Sequence, residues 1–284
     1  MSSFAPIAAP SGPQSVVTPS GIALTFEEEP KRRYTVNGED AASVTTILGC
    51  LDKPALVWWG MKVGVEGVYS LFRNEHIPWD RAVVVQSEPE DWVRLLTEQR
   101  LTVNHVRDKG ADRGKSVHSA LERYILSGRL PDPADYPAEE QGYVAGLVRF
   151  LDHAKLEPVA SEVMVGSAEH GFAGRYDLDA RISSPVVLDG RVFRGKTRAV
   201  GIDVGLYKFD LKTSKGIYDT HHLQLSGYEL AAVECGYSPT DGQVVVCVSA
   251  DGTYEVAVNR STPEQFLAIL RCYEAMQALK AALK

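Results

Sequence analysis

The chain has no uninterrupted apolar run approaching ~18 residues, so no segment is suited to cross a bilayer as a helix. A basic start followed by an apolar core is also missing. The first twenty residues, MSSFAPIAAPSGPQSVVTPS, read as a flexible Ser/Pro/Ala tail and not as a secretory signal, and the expected compartment is the cytoplasm. Cysteine is scarce and scattered: Cys50, Cys235, Cys247 and Cys272 contain no C-x-x-C pair. That spacing suits neither a zinc ribbon nor an iron–sulfur run, and reduced, partly buried thiols are expected. Net positive charge is lacking too, the formal value being −7. This lowers the expectation of nucleic-acid binding without excluding it, because a cleft needs only local positive potential. No internal repeat is present, and no H-E-x-x-H zinc signature.

What is there is an ordinary globular composition, 44% hydrophobic and 24% charged, enough for a sizeable core. Gly21–Phe26 and Arg33–Val36 are strand-like. Ser43 precedes the apolar run VTTIL as a helix N-cap. Pro54–Phe72 is apolar and helix-length, and a linker follows near Ile77–Glu90. Asp91–Lys109 reads as an amphipathic helix burying Trp92, Leu95, Leu96 and Val103, and a further helix is expected from Asp112 to Leu126. Pro131, Pro133 and Pro137 break the chain before a helix at Gln141–Lys155. Val159–Val165, Gly171–Ile182, Val186–Phe193, Ala199–Val204 and Leu206–Lys212 then have strand length and pattern. A helix at Thr220–Cys235, strands at Gln243–Ser249 and Tyr254–Val258, and a closing helix at Pro263–Leu283 complete the reading. The expectation is one α/β domain over residues 21–284, helical over 43–155 and sheet-bearing over 112–284.

The densest chemical signal is Lys208-Phe209-Asp210-Leu211-Lys212. Residues two apart on a strand share a face, so Asp210 and Lys212 project together. A carboxylate that can hold a hard cation, beside an ammonium that can stabilise phosphate charge, suits phosphodiester hydrolysis. A lone D-x-K is more often a surface ion pair. Upstream, Gly174-Arg175-Tyr176-Asp177 sets a second carboxylate on a strand, with Asp179 expected on the same face. Two carboxylates from neighbouring strands can converge on one cation. Earlier, Gly114-Lys115-Ser116-Val117-His118 offers a helix imidazole, with Glu122 one turn on. Arg107, Lys109, Arg113 and Lys115 surround this turn and form a candidate phosphate-binding patch. Downstream, Gln224 and Tyr228 lie four apart on one helical face.

Singly, each of these is more often a structural residue. In this order, G-x-x-x-H, G-x-x-D, D-x-K and Q-x-x-x-Y resemble the RecB-like and phage exonuclease members of the PD-(D/E)XK nuclease superfamily, over about Ser43 to Ala232. The resemblance implies a restriction-endonuclease-like α/β core, with a central mixed sheet flanked by helices. It implies a DNA nuclease, by preference an exonuclease, that uses one or two Mg²⁺ or Mn²⁺ ions. Asp177 and Asp210 would be metal carboxylates, Lys212 the catalytic lysine, His118 a further ligand and the Leu211 carbonyl another. Glu162 matches an acidic position before Asp177, and Gln224 and Tyr228 complete the catalytic group. DNA would be the partner, with a single-strand annealing or recombination protein as a second candidate.

The chain departs from the pattern in two respects. The stretch between Asp177 and Asp210 is longer than the family's usual hairpin, so an inserted β-hairpin is expected there. The four-cysteine staple of some relatives is missing, so no iron–sulfur cluster is expected. Two competing readings are a noncatalytic DNA-end or partner-binding protein of similar fold, and a zinc hydrolase drawing on His118, His153, His170, His221 and His222.

Overall fold

A computed structural model of the chain describes residues 14–28, 32–51, 53–74, 88–193 and 196–283. They divide into two compact units, one drawn from the residues up to Leu51 and from Ser116 onward, the other from the residues between.

The first unit is a large mixed sheet flanked by helices. Four short strands open it: β1 (Gln14–Val17), β2 (Ala23–Glu27), β3 (Arg33–Val36) and β4 (Glu39–Ser43), joined antiparallel in sequence order. The expected tail is therefore shorter than residues 1–20. Val16 and Val17 pair with Leu24 and Ala23, while residues 1–13 lie outside the described part. Ser43 caps α1 (Val44–Leu48), its hydroxyl accepting from the Thr46 N–H at 3.0 Å. This is the predicted N-cap.

The remaining strands are β5 (Glu157–Ser167), β6 (Phe172–Ile182), β7 (Val186–Phe193), β8 (Lys196–Ile202), β9 (Gly205–Lys212), β10 (Gly242–Val248) and β11 (Tyr254–Val258). Their spatial order runs β4-β6-β9-β10-β11-β7-β8, with β5 on the other edge of β6. β9 and β10 run parallel and β6 and β9 antiparallel. The expected hairpin is present as β7–β8, and it sits beyond β11 instead of between β6 and β9. The two motif-bearing strands are thus direct neighbours despite the insertion.

Helices cover both faces. The helix α4 (Val103–Ser127), of which the part from Ser116 belongs to this unit, and α5 (Ala138–Ala154) bury Val117, Leu121, Leu147 and Phe150 against Leu178, Phe209, Leu211 and Val246. At Gly142 the α5 backbone comes so close to the β10–β11 turn that an added Cβ would lie 1.7 Å from the Ala250 carbonyl oxygen, so only glycine fits. On the other face α1, α6 (Asp219–Glu234) and α7 (Pro263–Ala282) pack Ile47, Tyr228, Ala231 and Phe266 against Phe172 and Tyr176. Leu- and Val-scale burial of this kind stabilises by about 1.5–3 kcal/mol per side chain before entropy is subtracted.

The second unit holds α2 (Pro54–Arg73), α3 (Pro89–Glu98) and the first half of α4. Val63 and Leu71 face inward on α2, and Phe72 meets Trp92 of α3 with ring centroids 5.7 Å apart. The break between helices falls at Gln99–Thr102 and not near residue 110 as the sequence suggests. Arg100 takes a left-handed φ of 56°, which ends the preceding helix, while the helix runs on through Gly110 and Gly114. Trp92, Leu95, Leu96 and Val103 are half-buried. The expected linker at 77–90 lies largely outside the described residues, its end forming the start of α3.

Candidate metal centre

Along β9 the side chains alternate: Tyr207, Phe209 and Leu211 enter the core beneath α5, leaving Lys208, Asp210 and Lys212 at the positions between. Asp210 is 1% exposed, and the Lys212 ammonium lies 2.6 Å from its Oδ2. β6 and β9 pair from Ile182↔Gly205 to Leu178↔Phe209. The next rung would set Asp177 against Asp210, but the ladder stops there. Asp177 Oδ2 instead accepts the Leu211 N–H at 2.6 Å, a carboxylate standing where a strand carbonyl would.

β6 changes phase at this point. Phe172 and Tyr176 belong to the core under α6, whereas Leu178, Ala180 and Ile182 belong to the core under α5, although all five share one parity. Opposite Asp177, Glu162 adopts a φ of 51°, and neither residue is among the paired ones. This double irregularity gathers His118, Glu162 and Asp177, whose donor atoms all lie within 4.8 Å of one another. His118 Nδ1 is 3.3 Å from Asp177 Oδ1. The phase change also separates Asp177 from Asp179, which strict alternation would place together. Asp179 is engaged elsewhere, by Lys208 and Tyr176.

The electrostatics follow from burial and sign. Burial opposes charge on Asp177, but His118, Lys212 and the Leu211 amide outweigh it and hold the carboxyl below its ordinary range. Burial dominates at Asp210; with Asp177 adding repulsion and Lys212 only partly offsetting it, the carboxyl is pushed up to about 6. Burial likewise lifts Glu162, beside Asp177, to about 7, despite Arg175 at 3.5 Å. For His118 burial works against the proton, yet Asp177 prevails and raises the imidazole to about 9. Burial disfavours the Lys212 ammonium, but Asp210 and Asp177 together raise its pKa. Lys212 is therefore a cation at neutral pH, suited to stabilising charge and not to abstracting a proton.

Gln224 and Tyr228 project from α6 as a bonded pair, the Gln224 amide donating to the Tyr228 hydroxyl at 2.8 Å. Burial and then Asp210 raise the phenol far above its usual value, so it stays neutral. The glycine of G-x-x-D exists for this tyrosine: a Cβ at Gly174 would lie 2.5 Å from Tyr228 Cε1. Gly174→Ala is expected to force the ring aside and destabilise the fold by about 1–3 kcal/mol. Thermal unfolding checks this, and an unchanged melting temperature would contradict the packing argument.

His118, Glu162, Asp177, Asp210, Leu211 and Lys212 are thus brought together, with Tyr228 and Gln224 packed beside them. Arg107, Lys109, Arg113 and Lys115 belong to the second unit, on the first half of α4. Arg107 and Lys115 each lie near an aspartate, Asp108 at 3.5 Å and Asp112 at 3.7 Å. The five histidines of the zinc alternative are dispersed: His153 meets the Tyr254 hydroxyl, and His170 lies near Glu169 and Glu234.

The donor set fits a divalent cation of the Mg²⁺ or Mn²⁺ kind. Its oxygens suit a hard ion, and one imidazole favours the softer Mn²⁺. The buried Asp210 Oδ2 has no aligned hydrogen-bond donor, only the ammonium charge beside it. The donor atoms of His118, Glu162 and Asp177 lie within 4.8 Å of one another, and this trio would hold such an ion.

Sequence reading missed Arg175 at Glu162, and the buried Lys208–Asp179 pair. Lys208 carried a signal, standing two residues before Asp210 and hence on its face.

No known protein family matches the chain, and no curated protein does. Among solved structures it is similar to that of SSO0001, at 17% identity over 60% of this chain and 71% of that one, with a TM-score of 0.27. A likeness of that size carries no functional argument. Among the described residues no helix is long and apolar enough to cross a membrane.

Proposed function

We propose that the chain is a divalent-metal-dependent DNA nuclease with a PD-(D/E)XK-like core, acting as an exonuclease. The observation that carries this reading is the meeting of His118, Glu162 and Asp177 beside the buried Asp210 and its half-buried partner Lys212. A noncatalytic relative would have no need of the lysine, and here it is kept charged and aimed at the carboxylate.

A bound Mg²⁺ or Mn²⁺ supplies Lewis acidity and lowers the pKa of water. The residues to hold it are Asp177, Asp210, Glu162, His118 and the Leu211 carbonyl. Lys212 stabilises negative charge on the phosphate under attack and orients the nucleophile. Tyr228 and Gln224 brace the carboxylates from α6. DNA-backbone contacts are assigned to Arg107, Lys109, Arg113 and Lys115, whose long cationic side chains suit phosphate.

The test is a time course with Mn²⁺ on 5′- and 3′-labelled linear DNA, single- and double-stranded, with circular DNA and EDTA controls. Degradation of linear DNA that EDTA stops is the expected result. Cleavage of circles would rule out the need for an end, and inertness on every substrate would end the nuclease reading.

The ionisation pattern gives a pH dependence. An ion must displace the proton that His118 holds up to about pH 9, and below about pH 7 also the proton on Glu162. Mn²⁺ affinity should therefore rise about tenfold per pH unit between 7 and 9, and more steeply below 7. Calorimetric titration at pH 6, 7 and 8 measures this, and an affinity flat across that range would show that binding displaces no proton from His118 or Glu162.

A further inference from the structure

The phase change at Asp177 is bracketed by two side chains that touch. The Tyr176 hydroxyl donates to Asp179 Oδ2 at 2.5 Å. In a regular strand residues i and i+3 lie on opposite faces, so this bond can form only if the alternation is broken between them. Lys208 grips both partners. Its ammonium donates to Asp179 Oδ1 at 2.8 Å and lies 3.3 Å from the centroid of the Tyr176 ring. Glu229 Oε2 approaches it at 3.8 Å from α6, and that side chain is itself held by the Thr240 N–H at 2.8 Å. Lys208 and Tyr176 are each 1% exposed, and Asp179 is buried as well. Asp179 and Lys208 are register partners, one rung before the ladder's last pair, Leu178↔Phe209. The strands part immediately beyond, where Asp177 turns to the Leu211 amide.

We propose that Tyr176, Asp179 and Lys208 form a buried clamp that locks the phase change of β6 and so fixes where the Asp177 carboxylate points. They are positioning residues: they act on the centre through the backbone of residues 176–179, and the Tyr176 ring also lies against Tyr228, centroids 6.4 Å apart, a contact that Tyr176→Phe keeps. Their functional consequence rests on reading Asp177 as a metal ligand, but the clamp itself does not.

Tyr176→Phe tests it, since it keeps the ring beneath Lys208 and removes only the hydroxyl. Amide hydrogen exchange at Leu211 reports directly on the Asp177 carboxylate that holds that N–H. Exchange there is expected to quicken at least about fivefold, the worth of a lost hydrogen bond, while the Val256 amide in β11 is unchanged. Tyr254→Phe is the control; it removes another buried phenol bond, to His153 at 2.8 Å, and should leave Leu211 unaffected. Leu211 exchange within about twofold of wild type in Tyr176→Phe, or equal acceleration in both variants, overturns the clamp. Should Tyr176→Phe fail to fold, Asp179→Asn is read in the same way. A parallel Mn²⁺ titration of wild type, Asp177→Asn and Tyr176→Phe separates the two ideas. Binding that Asp177→Asn abolishes and Tyr176→Phe weakens about tenfold supports both. A wild type that takes up no Mn²⁺ defeats the metal reading alone, and Leu211 exchange still decides the clamp.

Discussion

Asp210→Asn is expected to abolish Mn²⁺-dependent cleavage of linear DNA while leaving the fold intact. Asn is nearly the shape of Asp, and Asp210 is 1% exposed among well-packed neighbours, so little repacking is required. What changes is charge. The buried carboxylate already resists ionisation, reaching about 6, and a divalent ion is what would make its charge favourable. With an amide there, the ion loses an anionic ligand and Lys212 loses the partner 2.6 Å away. Lys212→Ala removes the charge-stabilising group instead, and a loss of at least about 10²–10³ in turnover is expected from transition-state stabilisation alone. Circular dichroism and thermal unfolding confirm folding, and the labelled-DNA assay reads activity. Metal-dependent cleavage surviving in both variants would refute the site.

The largest effect on stability should come from Lys208→Met. The ammonium is fully buried, and its removal strands Asp179 and Glu229 without the cation that balances them. Breaking a buried pair from one side typically costs about 3–5 kcal/mol, because an uncompensated charge remains. For a chain of this size that lowers the melting temperature by roughly 10 °C. Replacing both partners, Lys208→Met with Asp179→Leu, should recover only part of the loss, since the Asp179 charge is gone but Glu229 and the Tyr176 hydroxyl still lack their partners. A single variant as stable as wild type would show that the pair contributes nothing.

Element type was legible wherever periodicity was strong. Tyr254–Val258 and Val186–Phe193 are strands with the bounds their patterns suggest, and Ser43 caps its helix. The helix break at Gln99–Thr102 was not, because it rests on a left-handed Arg100 that no residue preference announces. The short strand Glu39–Ser43 was missed because EDAAS carries no apolar alternation; it forms by pairing with β3 and β6. At the centre, the D-x-K geometry followed from two-residue alternation and is present as expected. The same rule failed at Asp177 and Asp179. There the strand changes phase, a property of paired irregularities on β5 and β6 that neither segment shows alone. Glu162 was named through the family resemblance alone, since its place beside His118 depends on a backbone angle and not on its neighbours in the chain.

The position of the β7–β8 hairpin bears on when the molecule assembles. Its partner strand β11 lies some way further along the chain, as does β10, which flanks β9. A nascent chain that has just exposed β7 can pack it on α5, where Leu188 joins Leu147 and Phe150, but its partner strand is still missing, and the sheet cannot close until synthesis has passed Val258. Pairings so distant in sequence form slowly, because loop closure must precede any gain from contact. A ribosome-bound fragment ending before β10 should therefore remain protease-sensitive at the β7–β8 hairpin, which lacks its β11 partner.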